Sequence, residues 1–393
     1  MLIFLIRFMW SNVFRIKPLS YMVLSFVLLS ISLGSSAAYA ESFNFIAMAD
    51  SRGNNNGVND VVLSRIVDLV SQENAQFIVF SGDLVSGSCT DIVLTSQLYH
   101  WRDVMNPIYN STMYGAKVYA GPGNHDICNS GSESVWQSVF DDLPLDGPSG
   151  ETYMTYSFDY LNSHFIMVDT NRTGNFHTIN YNWLANDLAS TSAEHIFVFG
   201  HEPAFPAGPH VGSSLDYYPS QRDAFWQLLS DYNVDIYFAG HEHLYNHVNV
   251  NGVHQVIAGT VGAPIYSGYG GDFYHYALIT VDGSDVSVEI IDDSGAVRDG
   301  FYVCTNDPVR IYRTALQYPT IQNAYDTAID GDIMQIQYGV FNEDLYIDRN
   351  ISVTVESGYG CDYSVINSAT ILNGNMFVID GIVTIESGTF ELQ

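Results

Sequence analysis

VDIYFAGHEHLY, residues 234–245, holds the pattern that decides the fold: a short apolar run, then Gly240-His241-Glu242-His243. A brief, continuous apolar run reads as a buried strand, and the glycine that closes it permits a sharp turn. Four other short apolar runs end in a polar or glycine-containing turn: FNFIAMAD (43–50), AQFIVFSGD (75–83), AKVYAGPGNHD (116–126) and EHIFVFGHEP (194–203). Between the first two, Val58 to Ser71 carries Val61, Val62, Ile66, Leu69 and Val70 at helical spacing, so a β-α-β unit is expected. Gln221 to Tyr232 reads as a further helix before a strand. Ligands of open α/β sheets bind beyond the carboxyl ends of the strands. Here five such ends deliver Asp50, Asp83, Asn124 with His125, His201, and His241 with His243.

Outward from these motifs, YMTYSFDY and HFIMVDT read as a hairpin, and HQVIAGTV, YHYALITV and DVSVEIIDD add strands. A boundary is expected near Gly295 to Gly300, dividing a domain over residues 41–298 from a segment over 299–393. Beyond it the texture changes to one short helical stretch and brief strands punctuated by Gly, Asn and Asp.

The residue types at the strand ends suit phosphoester chemistry. Hydrolysis of a phosphate ester needs a nucleophile at neutral pH and neutralisation of the phosphoryl oxygens, and two nearby cations supply both. Such a pair needs a bridging carboxylate, for which Asp83 is placed, with imidazoles and a neutral oxygen such as Asn124 completing a mixed N/O set suited to Zn, Mn, Fe or Ni. His125, directly after Asn124, would stand beside the metals as general acid.

With GD at 82–83, GNHD at 123–126, GHEP at 200–203 and GHEH at 240–243, the sequence resembles the calcineurin-like metallophosphoesterase superfamily over about residues 43 to 298. GETYMTYSFDYLNSHFIMVDT is most similar to the branch that includes purple acid phosphatases. The resemblance implies a four-layer α/β sandwich of two mixed β-sheets flanked by helices. It implies a first metal held by Asp50, Asp83 and His243, a second held by Asp83, Asn124, His201 and His241, and His125 assisting the leaving group. The pattern breaks at residue 52. Most members have Asp-x-His in the first motif, whereas this chain has Asp50-Ser51-Arg52, and where purple acid phosphatases use a tyrosine it has Ser86. Arginine stays protonated and cannot ligate a metal. Three readings follow: water or another side chain fills the gap, the first site binds metal weakly, or Arg52 contacts the substrate phosphate through its fork of donors. The last makes Arg52 a catalytic candidate beside His125. A non-catalytic surface or matrix protein with a degenerate metal site is the rival reading.

The stretch from about residue 309 to 393 resembles the opening of a right-handed parallel β-helix of the pectate-lyase-like type, its short helix capping a short, incomplete solenoid. With no cluster of acids or bases there, an accessory role in carbohydrate or cell-surface contact, or a simply structural role, is expected.

At the N-terminus, Arg7, Arg15 and Lys17 precede an uncharged apolar run from Tyr21 to Leu33, and Ala38-Tyr39-Ala40 follows. This is the pattern of a signal peptide over residues 1–40; an uncleaved membrane anchor is the alternative, but the run is short for a span and Ala-x-Ala favours cleavage, so an exported protein with no membrane span after cleavage is expected. Cleavage leaves ten basic residues against 43 acidic ones, a net charge of −33. Such a field repels nucleic acid, and a small phosphorylated substrate is the expected partner. Cys89, Cys128, Cys304 and Cys361 all lie in the exported part. If the Asp83 and Asn124 loops line one site, Cys89 and Cys128 could staple them, leaving Cys304 for Cys361.

Overall fold

A computed structural model of the chain describes residues 41–109, 117–304, 307–341, 343–361, 363 and 369–392. The expected signal peptide lies outside the described residues. Among the described residues, no helix is long and apolar enough to cross a membrane.

The chain runs β1 (Phe43–Met48), α1 (Asp60–Val70), β2 (Phe77–Ser81), α2 (Asp91–Val104), α3 (Asn106–Tyr109), β3 (Lys117–Gly121) and α4 (Ser130–Val139). It continues through the hairpin β4 (Tyr156–Tyr160) and β5 (Ser163–Met167), then α5 (Tyr181–Ser190), β6 (His195–Phe199), α6 (Pro219–Asp231), β7 (Ile236–Ala239), β8 (Tyr245–Val250) and β9 (Val253–Ala258). The meander β10 (His275–Asp282), β11 (Asp285–Asp292) and β12 (Val297–Val303) follows. Two six-stranded mixed sheets result, ordered β12-β11-β10-β1-β2-β3 and β4-β5-β6-β7-β9-β8. All five motif-bearing runs are strands, as their buried apolar character requires. In α1 the helical spacing holds, but the buried stripe is Val62, Leu63, Ile66, Val67 and Val70, and Val61 faces solvent. Asn59 caps that helix by accepting from Val62 N, and Asp60 complements the positive end of its dipole.

Strand alternation explains the layers. Phe45 and Phe77 of the first sheet meet Phe165 and Phe197 of the second, with ring centroids 5.0–5.1 Å apart for Phe45–Phe165, Phe45–Phe197 and Phe77–Phe165. The intervening Ile166, Ile196 and Val198 face the other way and pack with Leu184 and Leu188 of α5 and Phe225 and Leu229 of α6. Helices therefore cover the outer faces of a two-sheet α/β sandwich. Aromatic pairs of this kind add about 0.5–1.5 kcal/mol each beyond the area they bury.

The boundary expected at residue 298 falls inside β12. That strand pairs with β11 from Ile291↔Val297 to Val286↔Val303, because the turn after Asp292 returns the chain directly along the sheet edge. Beyond it lie β13 (Val309–Ile311), β14 (Leu316–Tyr318), α7 (Ile321–Thr327), β15 (Asp332–Gln337), β16 (Gly339–Phe341), β17 (Leu345–Tyr359), β18 (Ala369–Leu372), β19 (Met376–Ser387) and β20 (Thr389–Leu392). β15, β17 and β19 pair in parallel, as do β16, β18 and β20, so successive passes of the chain lay a strand on each of two sheets. This part has its own core, with Tyr325 of α7 packed among Ile336, Ile347, Val355 and Leu372. Cys304–Cys361 joins the end of β12 to it, and Cys89–Cys128 is the other disulfide.

Candidate metal centre

The parallel strands β1, β2, β3, β6 and β7 bring their carboxyl ends to one rim, and all eight residues singled out in the sequence stand there. The rim is built from unusual backbone. Asp50, Asp83 and His241 adopt φ of 58°, 52° and 70°, a left-handed conformation that costs a side-chain-bearing residue about 1–2 kcal/mol. Such strain persists where the surroundings enforce it, and it concentrates at functional sites. Two glycines show how tight the enforcement is. A Cβ on Gly82 would lie 2.6 Å from His201 Nδ1, and one on Gly240 would lie 2.5 Å from Asp50 Oδ2. The loops are also tied together: Asp50 N donates to Gly82 O and Ser51 N to Asp83 O, both at 3.1 Å.

Asp83, Asn124, His201 and His241 gather at one candidate cation position. His201 Nδ1 donates to Ser81 O at 2.9 Å, which leaves its Nε2 lone pair 3.1 Å from Asn124 Oδ1 and 3.3 Å from Asp83 Oδ1. His241 Nδ1 lies 2.9 Å from the same Asn124 oxygen. Donors about 2.1 Å from a single ion stand about 3 Å apart, and these three separations have that spacing. Burial pushes the His241 imidazole well below its ordinary pKa, and neighbouring His201, His210 and His243 push the same way, so it is held in the neutral, ligating form. Burial alone would raise the Asp83 carboxyl, but His201, His125 and Arg52 outweigh it and keep the group below the usual carboxylate range. Asp50, Asp83 and His201 offer ligand atoms within 4.8 Å of one another.

The other position differs. Asp50 Oδ2 accepts from His241 N at 2.9 Å, while Oδ1 is buried without a hydrogen-bond partner, 3.4 Å from His243 Nε2. His243 Nδ1 donates to Pro264 O at 2.7 Å, so Nε2 presents a lone pair, and the Tyr266 ring stacks on the imidazole at 4.4 Å. Arg52 enters this group, with Nε 3.3 Å from Asp83 Oδ2 and one terminal nitrogen 3.4 Å from His243 Nε2. Ser86 supplies no ligand there: its hydroxyl donates to Gly53 O at 3.1 Å.

His125 is the most open of the histidines at the rim. Its backbone N–H donates to Asp83 Oδ1 at 2.9 Å, its Nδ1 donates to Ser86 O at 3.0 Å, and its Nε2 is left facing the site, 4.0 Å from Asp83 Oδ2. Asp126 organises the loops from below, accepting from Gly123 N, Leu84 N and Val85 N. Sequence reasoning left His210 unassigned, yet its ring lies 4.1 Å from that of His241, and its backbone N–H donates to Glu242 Oε1 at 3.0 Å. Burial, together with nearby His243 and His201, lowers its pKa. His210 sits in the loop after Pro203, whose path only the tertiary fold determines. Tyr266 was missed for the same reason.

The profile of the calcineurin-like phosphoesterases matches residues 44–245, just over half of the chain. The chain belongs to that family. Purple acid phosphatase 23 of Arabidopsis thaliana is 30% identical over 136 residues, 32% of this chain and 28% of that protein. The chain thus spans under a third of that relative's length. Two solved structures share the fold: purple acid phosphatase PPD1 from yellow lupin (Lupinus luteus) seeds has a TM-score of 0.53 at 20% identity, covering 67% of this chain and 54% of its own. A structure of PhoD has a TM-score of 0.52 at 12% identity, covering 67% and 70%. The family membership implies a resident metal, and the donor set Asp83, Asn124, His201 and His241 fits one.

Proposed function

We propose that this protein is an exported, metal-dependent phosphoesterase acting on small phosphomonoesters or phosphodiesters. The observation that carries the reading is the convergence of Asp83 Oδ1, Asn124 Oδ1, His201 Nε2 and His241 Nδ1 at a rim where His125 and Arg52 also stand. A transition metal (Fe, Mn, Zn or Ni) held by these four residues would neutralise phosphoryl oxygens and bring water towards hydroxide at neutral pH.

The chain's own residues supply the rest. The Nδ1–H of His125 is committed to Ser86 O, which aims Nε2 into the site to hand a proton to the departing alkoxide. Arg52, its side chain one-fifth exposed, keeps N–H groups free to pair with phosphoryl oxygens. The rigid loops hold these groups in place before substrate arrives. Export is supported by the N-terminal pattern and by two disulfides. We read the parallel passes after β12 as the start of a β-helix, an accessory module for carbohydrate or cell-surface contact.

Arg52 at the Asp-x-His position favours the rival reading of a non-catalytic binding protein, whereas His125, which a structural metal site does not need, supports catalysis. The deciding experiment measures turnover of generic aryl phosphate monoesters and diesters by mature protein, alongside metal analysis. Turnover that disappears in Asp83→Asn is expected. Bound metal without turnover on a broad panel would overturn the enzyme reading.

A further inference from the structure

The sequence leads to an expectation of two metals, but the first position does not fit one as the second does. Its donors would be Asp50 Oδ1, Asp83 Oδ2 and His243 Nε2, and the guanidinium of Arg52 is already lodged against two of them, at 3.3 Å from Asp83 Oδ2 and 3.4 Å from His243 Nε2. His243 Nε2 is an acceptor because Nδ1 donates to Pro264 O, so the contact is between a cationic donor and a lone pair. We infer that Arg52 is the resident cation of the first position, so that the centre holds one metal ion and one fixed guanidinium.

Three observations support this. The backbone that carries Arg52 is pinned: it forms a bridge with Val58, the adjoining Gly53 N donates to Gly57 O at 3.1 Å, and the Ser51 hydroxyl donates to Leu84 O at 2.7 Å while accepting from Trp101 Nε1. Charge is the second. A dication on these donors would sit at contact distance from a group that never deprotonates, and the repulsion between them opposes simultaneous occupancy. Donor count is the third: three protein donors face the first position against four at the second, and Ser86 turns its hydroxyl away. The strongest argument for an ion is Asp50 Oδ1, buried and unpartnered. An ion there would have to displace Arg52 from Asp83 and His243.

The arrangement divides the labour. A guanidinium cannot acidify water, so activation of the nucleophile falls to the metal at Asp83, Asn124, His201 and His241. The guanidinium offers a planar fork to the phosphoryl group and cannot be removed by a chelator.

This inference rests on the phosphoesterase reading for the role of the second position, but its test does not depend on turnover. Metal content would be measured by inductively coupled plasma mass spectrometry on mature protein equilibrated with micromolar metal, with folding of each variant checked by circular dichroism. The wild type should hold about one equivalent, His243→Ala should keep it, His241→Ala should lose it, and Arg52→His should rise to about two. Two equivalents in the wild type with a drop to one in His243→Ala would overturn the inference, as would a folded Arg52→His that stays at one. A wild type with two ions and full turnover sinks this inference and spares the phosphoesterase. One ion with no turnover on any monoester or diester does the reverse.

Discussion

The two cation positions lie side by side on the same rim and share Asp83, yet they are satisfied differently. At the second, donors from four strand ends are linked by contacts of 2.9–3.3 Å through Asn124 and His201, and each imidazole is fixed by burial or by a backbone carbonyl. At the first, two of three donors already face a side-chain cation, and the third oxygen has no partner. The difference shows how a single residue sets the character of a position: strands, glycines and left-handed turns of the same kind present both, but one holds a guanidinium among its donors and the other does not.

The largest expected effect comes from breaking the shared ligand. Asp83→Asn should lower kcat/KM on an aryl monoester by about 10³-fold or more, the scale of losing a principal charge-stabilising group, together with bound metal. Unimpaired turnover would mean that the two positions do not form the site. Next, His125→Ala should cost about 10²–10⁴-fold on alkyl esters and much less on esters with acidic leaving groups, which depart without a proton. An equal loss on both classes would remove His125 from the role of acid.

A smaller functional effect is expected from the staple between the two loops. Replacing Cys89 and Cys128 by serine opens a link across 39 residues and should cost about 4 kcal/mol in urea denaturation, with turnover reduced far less than in Asp83→Asn. Turnover lost in step with Asp83→Asn while the protein stays folded would show that the staple sets ligand geometry.

The smallest effect is a control away from the rim. Burial pushes the His164 imidazole down, but its hydrogen bonds to Asp187 at 2.9 Å and Asp159 at 2.6 Å outweigh this and raise its pKa above the ordinary value. A raised folded-state pKa stabilises fully below the unfolded value of about 6.5 and is lost as pH rises through the folded value. The stability gap between wild type and His164→Asn should therefore be wider at acidic pH and narrow as pH rises through that window, with turnover unchanged. A gap that is constant with pH would show that the imidazole is not charged in the fold.

Much of this centre was readable along the chain. Short apolar runs ending in Gly-Asp, Gly-Asn-His-Asp, Gly-His and Gly-His-Glu-His encode both buried strands and polar strand ends, because a strand covered on both faces is apolar at every position and is too short for a helix. The pairing of Cys89 with Cys128 followed from the same idea that the two loops meet. Periodicity was less exact in α1, where Val61 faces solvent and Leu63 is buried, because helical spacing sets a stripe but not its rotation. Chain texture also placed a domain boundary inside β12, since a hairpin turn and a linker share the same small polar residues. Local sequence determined the strands, the turns and the donor types. Which way the Arg52 guanidinium points, whether His210 and Tyr266 reach the histidines, and which nitrogen of each imidazole is free depend on contacts between residues far apart in the chain. Only the packed tertiary structure decided those.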